Sequence, residues 1–232
     1  MLTKTKVVDR VWAINSDSQV EIGKAFIRFQ EYYENADLKG RKDLTVREIE
    51  KWWERTREAT NAESYYEYWV GFNLPGRVFV ELTMSPEFRP GFSLVDFLGN
   101  PMAYPRYHDE ENELMALLSD LPAAELVDSY FIGLWKDSTD VLEHEIAHGL
   151  FTTNAMYKSE QLYNISKLPA DIYQRVRKDL ISCGYHPHVV HDEIQAYFST
   201  YVECLEEKFE TKDYNQYTAP FQATFKKFYT PS

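Results

Sequence analysis

Two histidines four residues apart, in His144-Glu145-Ile146-Ala147-His148, constrain this chain more than any other feature of its sequence. On a helix, such residues stand one above the other on a single face. Two imidazoles so placed can share one metal ion, while the glutamate beside the first reaches the water that the ion carries. Zinc suits the arrangement because it accepts nitrogen ligands tetrahedrally and lowers the pKa of bound water to about 7. The fold must then do two things: keep residues 144–148 helical, and bring a third ligand to them from elsewhere.

The helix is well signalled. Asp137-Ser138-Thr139-Asp140 offers N-cap chemistry and first-turn acids. Val141, Leu142, Ile146 and Leu150 are apolar positions from which the helix can be buried. Ahead of it, residues 126–135 are rich in β-formers and read as a strand.

A catalytic zinc normally takes three protein ligands and leaves one position open. The continuation H-E-x-x-H-x-x-G-x-x-H is excluded, because Phe151 and Asn154 stand where its glycine and third histidine belong. Glu193 is the leading alternative. It opens a segment whose helical pattern runs to about Phe209, and the small Ala196 suits tight packing against the motif helix. His186, His188 and His191 lie next to it, and histidine-rich tracts also bind metal. The third ligand thus stays open between Glu193 and these three, one of which is alternatively placed to polarise a substrate carbonyl. The plainer reading of the tract is a loop after Gly184, itself a C′ stop for the preceding helix.

Strand, pentapeptide and the downstream Glu193-Ile194-Gln195-Ala196 together resemble the gluzincin-like zinc metallopeptidases, whose second motif has the form E-x-x-A/S-D/N. The resemblance covers about 60 residues. It implies an α+β, zincin-like fold, with His144, His148 and Glu193 binding Zn2+ and Glu145 as general base. It also implies a strand before the motif that could lie at the sheet edge and hold a peptide by β-addition, although a buried core strand fits the same residues equally well. Tyr197 stands where the family has the Asp or Asn that orients a ligand histidine. Its hydroxyl would take that part or, like that of Tyr201, donate to a developing oxyanion. Aromatics at helical spacing serve equally well as core.

The function expected is a zinc-dependent metallopeptidase acting on a peptide or protein substrate. The alternative is a non-catalytic metal-binding or protein-interaction module on the same scaffold, motivated by Tyr197 and the lack of a readable specificity pocket. At 232 residues the chain has the length of one domain. An N-terminal lobe over about 1–136 would precede the motif helix and a helical C-terminal lobe over about 137–232. A net charge of −12 argues against nucleic acid or an anionic membrane as partner, and is compatible with a basic substrate. Cys183 and Cys204 are the only cysteines and form no disulfide framework. The first ten residues lack the apolar run of a signal peptide, and Asp120, Pro122, Glu125 and Asp128 interrupt the longest apolar region. A cytoplasmic location is the resulting expectation, though export by a signal-independent route leaves no such mark. Oligomeric state is not legible.

Along the chain, capping boxes at Ser18-Gln19-Val20-Glu21 and Thr45-Val46-Arg47-Glu48 open helices to about Asn35 and Thr60. Lys39-Gly40-Arg41-Lys42 reads as a turn. Arg77-Val78-Phe79-Val80-Glu81-Leu82 reads as a strand after a turn at Leu74-Pro75-Gly76. A loop over 85–107 leads to a helix over 108–119. Beyond the motif, helices are expected near 154–168, 169–183 and 192–209, with a short one over 220–229.

Overall fold

The computed structural model of the chain describes residues 1–35, 37–56, 63–69, 71–85, 109–136, 141–210 and 214–229. The cap expected at 137–140 and nearly all of the loop expected at 85–107 fall outside these. The molecule is mixed α+β and mostly helical, around one four-stranded sheet.

The chain opens with a hairpin that the sequence pattern does not announce: β1 (Thr3–Val8) pairs antiparallel with β2 (Val11–Ser16). Ser18 then caps α1 (Gln19–Glu34), its side chain accepting from the Glu21 N–H. The second capping box is reciprocal. Glu48 N–H donates to Thr45 Oγ1 at 3.3 Å, and Thr45 N–H to Glu48 Oε2 at 2.8 Å, at the start of α2 (Val46–Thr56). The short α3 (Glu63–Tyr68) precedes β3 (Phe72–Pro75).

The strand expected over 77–82 is instead a helix, α4 (Gly76–Thr83). Its Val78, Phe79 and Leu82 are buried while Arg77 and Glu81 face out, a helical spacing that the β-rich composition concealed. Gly76 is required where β3 meets α4, because a Cβ there would lie 1.7 Å from the carbonyl oxygen of Leu126. Next come α5 (Asp109–Ser119) and α6 (Ala123–Asp128). The strand expected over 126–135 is therefore shortened to β4 (Tyr130–Trp135), since its first residues finish α6.

The sheet order is β1-β2-β4-β3, with β2 and β4 parallel and β3 antiparallel to β4. β4 is thus an inner strand with a neighbour on each side. The expected role of this segment as a peptide-binding edge is corrected: its backbone groups are already committed to β2 and β3. The edge beside it is β3.

Both faces of β4 are covered, which accounts for its unbroken apolar sequence. Phe131 joins Phe26 and Phe29 of α1, with Phe72, Leu74 and Ile14. Tyr130, Ile132 and Leu134 point to the opposite face and pack with Val11, Ala13 and the helix that follows β4. That helix is α7 (Leu142–Thr153), the histidine-bearing helix. A helical lobe completes the chain: α8 (Ala155–Ser166), α9 (Ala170–Ser182), α10 (Val190–Ala196), a π-helical turn (Tyr197–Tyr201), α11 (Val202–Lys208) and α12 (Ala219–Phe228). Its core includes Val176, Leu180, Ile194, Phe198 and Phe221. No described helix is long and apolar enough to cross a membrane.

Candidate metal centre

α7 lies between the sheet and the helical lobe, and every residue from His144 to Phe151 is buried. Close seating explains Gly149, where a Cβ would come within 2.8 Å of the Val11 side chain. α10 reaches α7 through Ala196, which sits in the same apolar cluster, and through Gln195. The Gln195 amide donates to Ala147 O at 3.2 Å and accepts from the Tyr157 hydroxyl at 2.7 Å, so α7, α8 and α10 are tied at one point.

This packing delivers Glu193 to the two histidines. The Nε2 atoms of His144 and His148 are 3.2 Å apart, and Glu193 Oε2 lies 3.8 Å from His148 Nε2. Ligand atoms from the three residues all fall within 4.8 Å of one another, forming a buried group that could hold a metal ion. It is the one such group among the described residues. Of the rivals, His186 and His188 face each other with their Nδ1 atoms 2.6 Å apart, next to Lys39. His191 accompanies the Tyr173 hydroxyl at 2.9 Å.

Glu193 Oε2 and Glu145 Oε2 are both buried with no hydrogen-bond partner. An orphaned carboxylate oxygen at this depth is costly, and a cation between Glu193 and the two imidazoles would satisfy that of Glu193. The residues present therefore fit a metal.

The outer nitrogens of both imidazoles are also engaged. Asp192 Oδ1 lies 2.8 Å from His148 Nδ1. Thr200 Oγ1 donates to Ala196 O at 2.8 Å, which leaves its lone pairs facing His144 Nδ1 at 3.5 Å. With the ring protons on Nδ1, these contacts would leave both Nε2 lone pairs to a shared ion. The sequence pattern points to neither residue. Asp192 is legible only as a first-turn acid, and Thr200 reaches His144 through the π-helical turn, which carries no sequence signature. π-turns of this kind concentrate at functional sites.

Tyr197 lies against His144, ring centroids 4.6 Å apart, and its hydroxyl pairs with that of Tyr185 at 3.3 Å. Tyr201 is more exposed, its ring 6.3 Å from His144. Tyr185 is placed by the end of α9, where Gly184 adopts φ 101°. Gly184 N–H bonds Ile181 O at 3.0 Å and Tyr185 N–H bonds Leu180 O at 3.4 Å, a Schellman closure.

A further carboxylate enters from α1. Glu34 Oε1 accepts from Asn73 Nδ2 of β3 at 2.8 Å. Burial pushes Glu34 up to about 7, against the Asn73 bond and the charge of His148, while Glu145 and Asp192 push it the same way. Burial also raises Glu145 and, strongly, Glu193. His144 is held well below its usual range by burial and by His148. For His148 burial acts downward, but Asp192 and Glu193 outweigh it and hold the ring well above.

Glu145 turns toward the sheet edge. A Cβ at Gly71, one residue before β3, would stand 2.7 Å from Glu145 Oε1. Nothing among known proteins was found to match: no family model, no curated protein and no solved structure.

Proposed function

We propose that the protein is a zinc-dependent metallopeptidase on a zincin-like scaffold, with His144, His148 and Glu193 as metal ligands and Glu145 as general base. The observation that carries this is the buried convergence of two histidine Nε2 atoms and the Glu193 carboxylate, with Glu145, also buried, the residue after the first histidine. Zinc at about 2.0–2.1 Å from each ligand would hold tetrahedral neighbours about 3.3 Å apart. The 3.2 Å between the imidazole nitrogens is close to that, while Glu193 Oε2, 3.8 Å from His148 Nε2, would have to move inward. When bound, zinc would supply Lewis acidity toward a carbonyl and toward water.

The chain's own residues do the rest. Glu145 takes a proton from the attacking water and returns it to the leaving amine. Its raised pKa is in the direction that proton exchange near neutral pH requires. Asp192 and Thr200 hold the imidazoles in the ligating orientation. Glu145 lies beside Gly71, so an extended substrate would pass close to β3.

Glu145→Gln tests this reading. The variant should keep stoichiometric zinc and lose hydrolysis of a mixed peptide library that the native protein cleaves. Native turnover in the variant would overturn the mechanism. Zinc binding without cleavage by the native protein would favour a non-catalytic metal module.

A further inference from the structure

Beside the metal centre, the end of α1, α2 and the turn at 183–185 enclose a cavity of about 300 Å³. That is the lower end of the range for small-ligand pockets. Glu34 and Tyr197 belong to its wall, and Tyr197 is the residue packed on His144. A group in the cavity therefore lies next to a peptide bond held at the metal.

Among the described residues its lining carries more acidic than basic groups. Glu34 and the exposed Asp37 bring carboxyl groups to it, Glu34 ionising at about 7, while the oxygens of Glu31 already accept from Tyr65 and Asn35; Lys208 is the ammonium among the described residues of the lining. Trp52, Tyr68 and Trp69 add aromatic faces, which attract cations through the ring quadrupole. An independent observation points to the same ligand. Gln30 lines the cavity, is only 4 % exposed, and its Oε1 has no hydrogen-bond partner. A buried carbonyl of this kind calls for a donor. Trp69 Nε1, also buried without an acceptor, suits the main-chain carbonyl of the residue that brings that donor.

We infer that this cavity receives the cationic side chain of an arginine or lysine in a peptide substrate. The inference rests on the peptidase reading for the placement of the peptide, but not for recognition of the cation.

Binding to the unmodified protein separates the two. Calorimetric titration with N-acetyl-arginine amide and with its neutral isostere N-acetyl-citrulline amide should give at least tenfold tighter binding of the arginine compound. Glu34→Gln and the exposed Asp37→Asn should each shrink that ratio, with circular dichroism confirming the fold. Equal affinities, or no binding of either compound, would overturn the inference. Arginine selectivity without any peptide cleavage would leave the pocket standing and remove the peptidase. Cleavage indifferent to basic residues, with equal binding of the two amides, would do the reverse.

Discussion

Asp192 Oδ1 lies 2.8 Å from His148 Nδ1, and Asp192 immediately precedes Glu193 in α10. One turn of helix thus supplies both a carboxylate of the group that could hold a metal ion and the acid beside a histidine of that group on α7. The position four residues after Glu193, where the resemblance leads one to expect that acid, holds Tyr197, whose ring packs on His144. Asp192→Asn should weaken zinc affinity about 10- to 100-fold while leaving helix content unchanged. Competition with a chromogenic chelator measures it, and an unaltered affinity would mean that Asp192 does not act through His148.

Gly71 marks how closely the sheet edge approaches Glu145, the proposed general base. In Gly71→Ala the new methyl would meet the Glu145 carboxylate, 2.7 Å from Oε1 and 3.3 Å from Cδ. The end of a flexible side chain yields more easily than backbone, so the fold and the metal should survive. The carboxylate should not keep its position, and kcat should fall on the order of 10- to 100-fold. Native kcat together with native zinc content would show that Glu145 is not where proton transfer occurs.

Metal binding should be coupled to proton release. Without metal, Glu193 and His148 both keep their protons to higher pH than such groups ordinarily do, whereas His144 is already neutral. Ligation requires a deprotonated carboxylate and neutral imidazoles. Zinc affinity should therefore rise with pH, and protons should be released as zinc binds. Calorimetry in buffers of differing ionisation enthalpy counts those protons, and a pH-independent affinity with no release is the opposing result.

Stability away from the site rests partly on Arg28, whose Nε donates to Glu111 Oε1 at 2.7 Å between α1 and α5, both side chains being buried. Arg28→Met removes the guanidinium from the buried carboxylate of Glu111. The expected loss is about 3–5 kcal/mol, read from the shift of the urea midpoint. A loss below about 1 kcal/mol would place this pair with ordinary surface ion pairs.

The sequence by itself determined the parts that depend on neighbours along the chain. His144 and His148 share a face because the helical repeat puts them there, and the Thr45–Glu48 box closes because its two partners are three residues apart. Gly184 stops α9 because only the left-handed φ of 101° allows the Schellman closure. Phe151 and Asn154 exclude one class of third ligand by their identities alone. Glu193 is visible in the sequence as one acid among several candidates.

Only tertiary structure decided among those candidates, because the distances that matter join residues far apart in the chain. Gln195 and Ala196 dock α10 on α7, and that docking selects Glu193 over His186, His188 and His191. The conversion of 77–82 from an apparent strand to α4, and of 126–135 from an expected edge to an inner strand, followed from burial that local β-propensity does not encode. Glu34 and Asn73 meet beside the site only because α1 and β3 pack together, 39 residues apart in sequence. Local spacing fixed which side chains share a face of one helix; the packing of α1, β3 and α10 around α7 decided which others they meet.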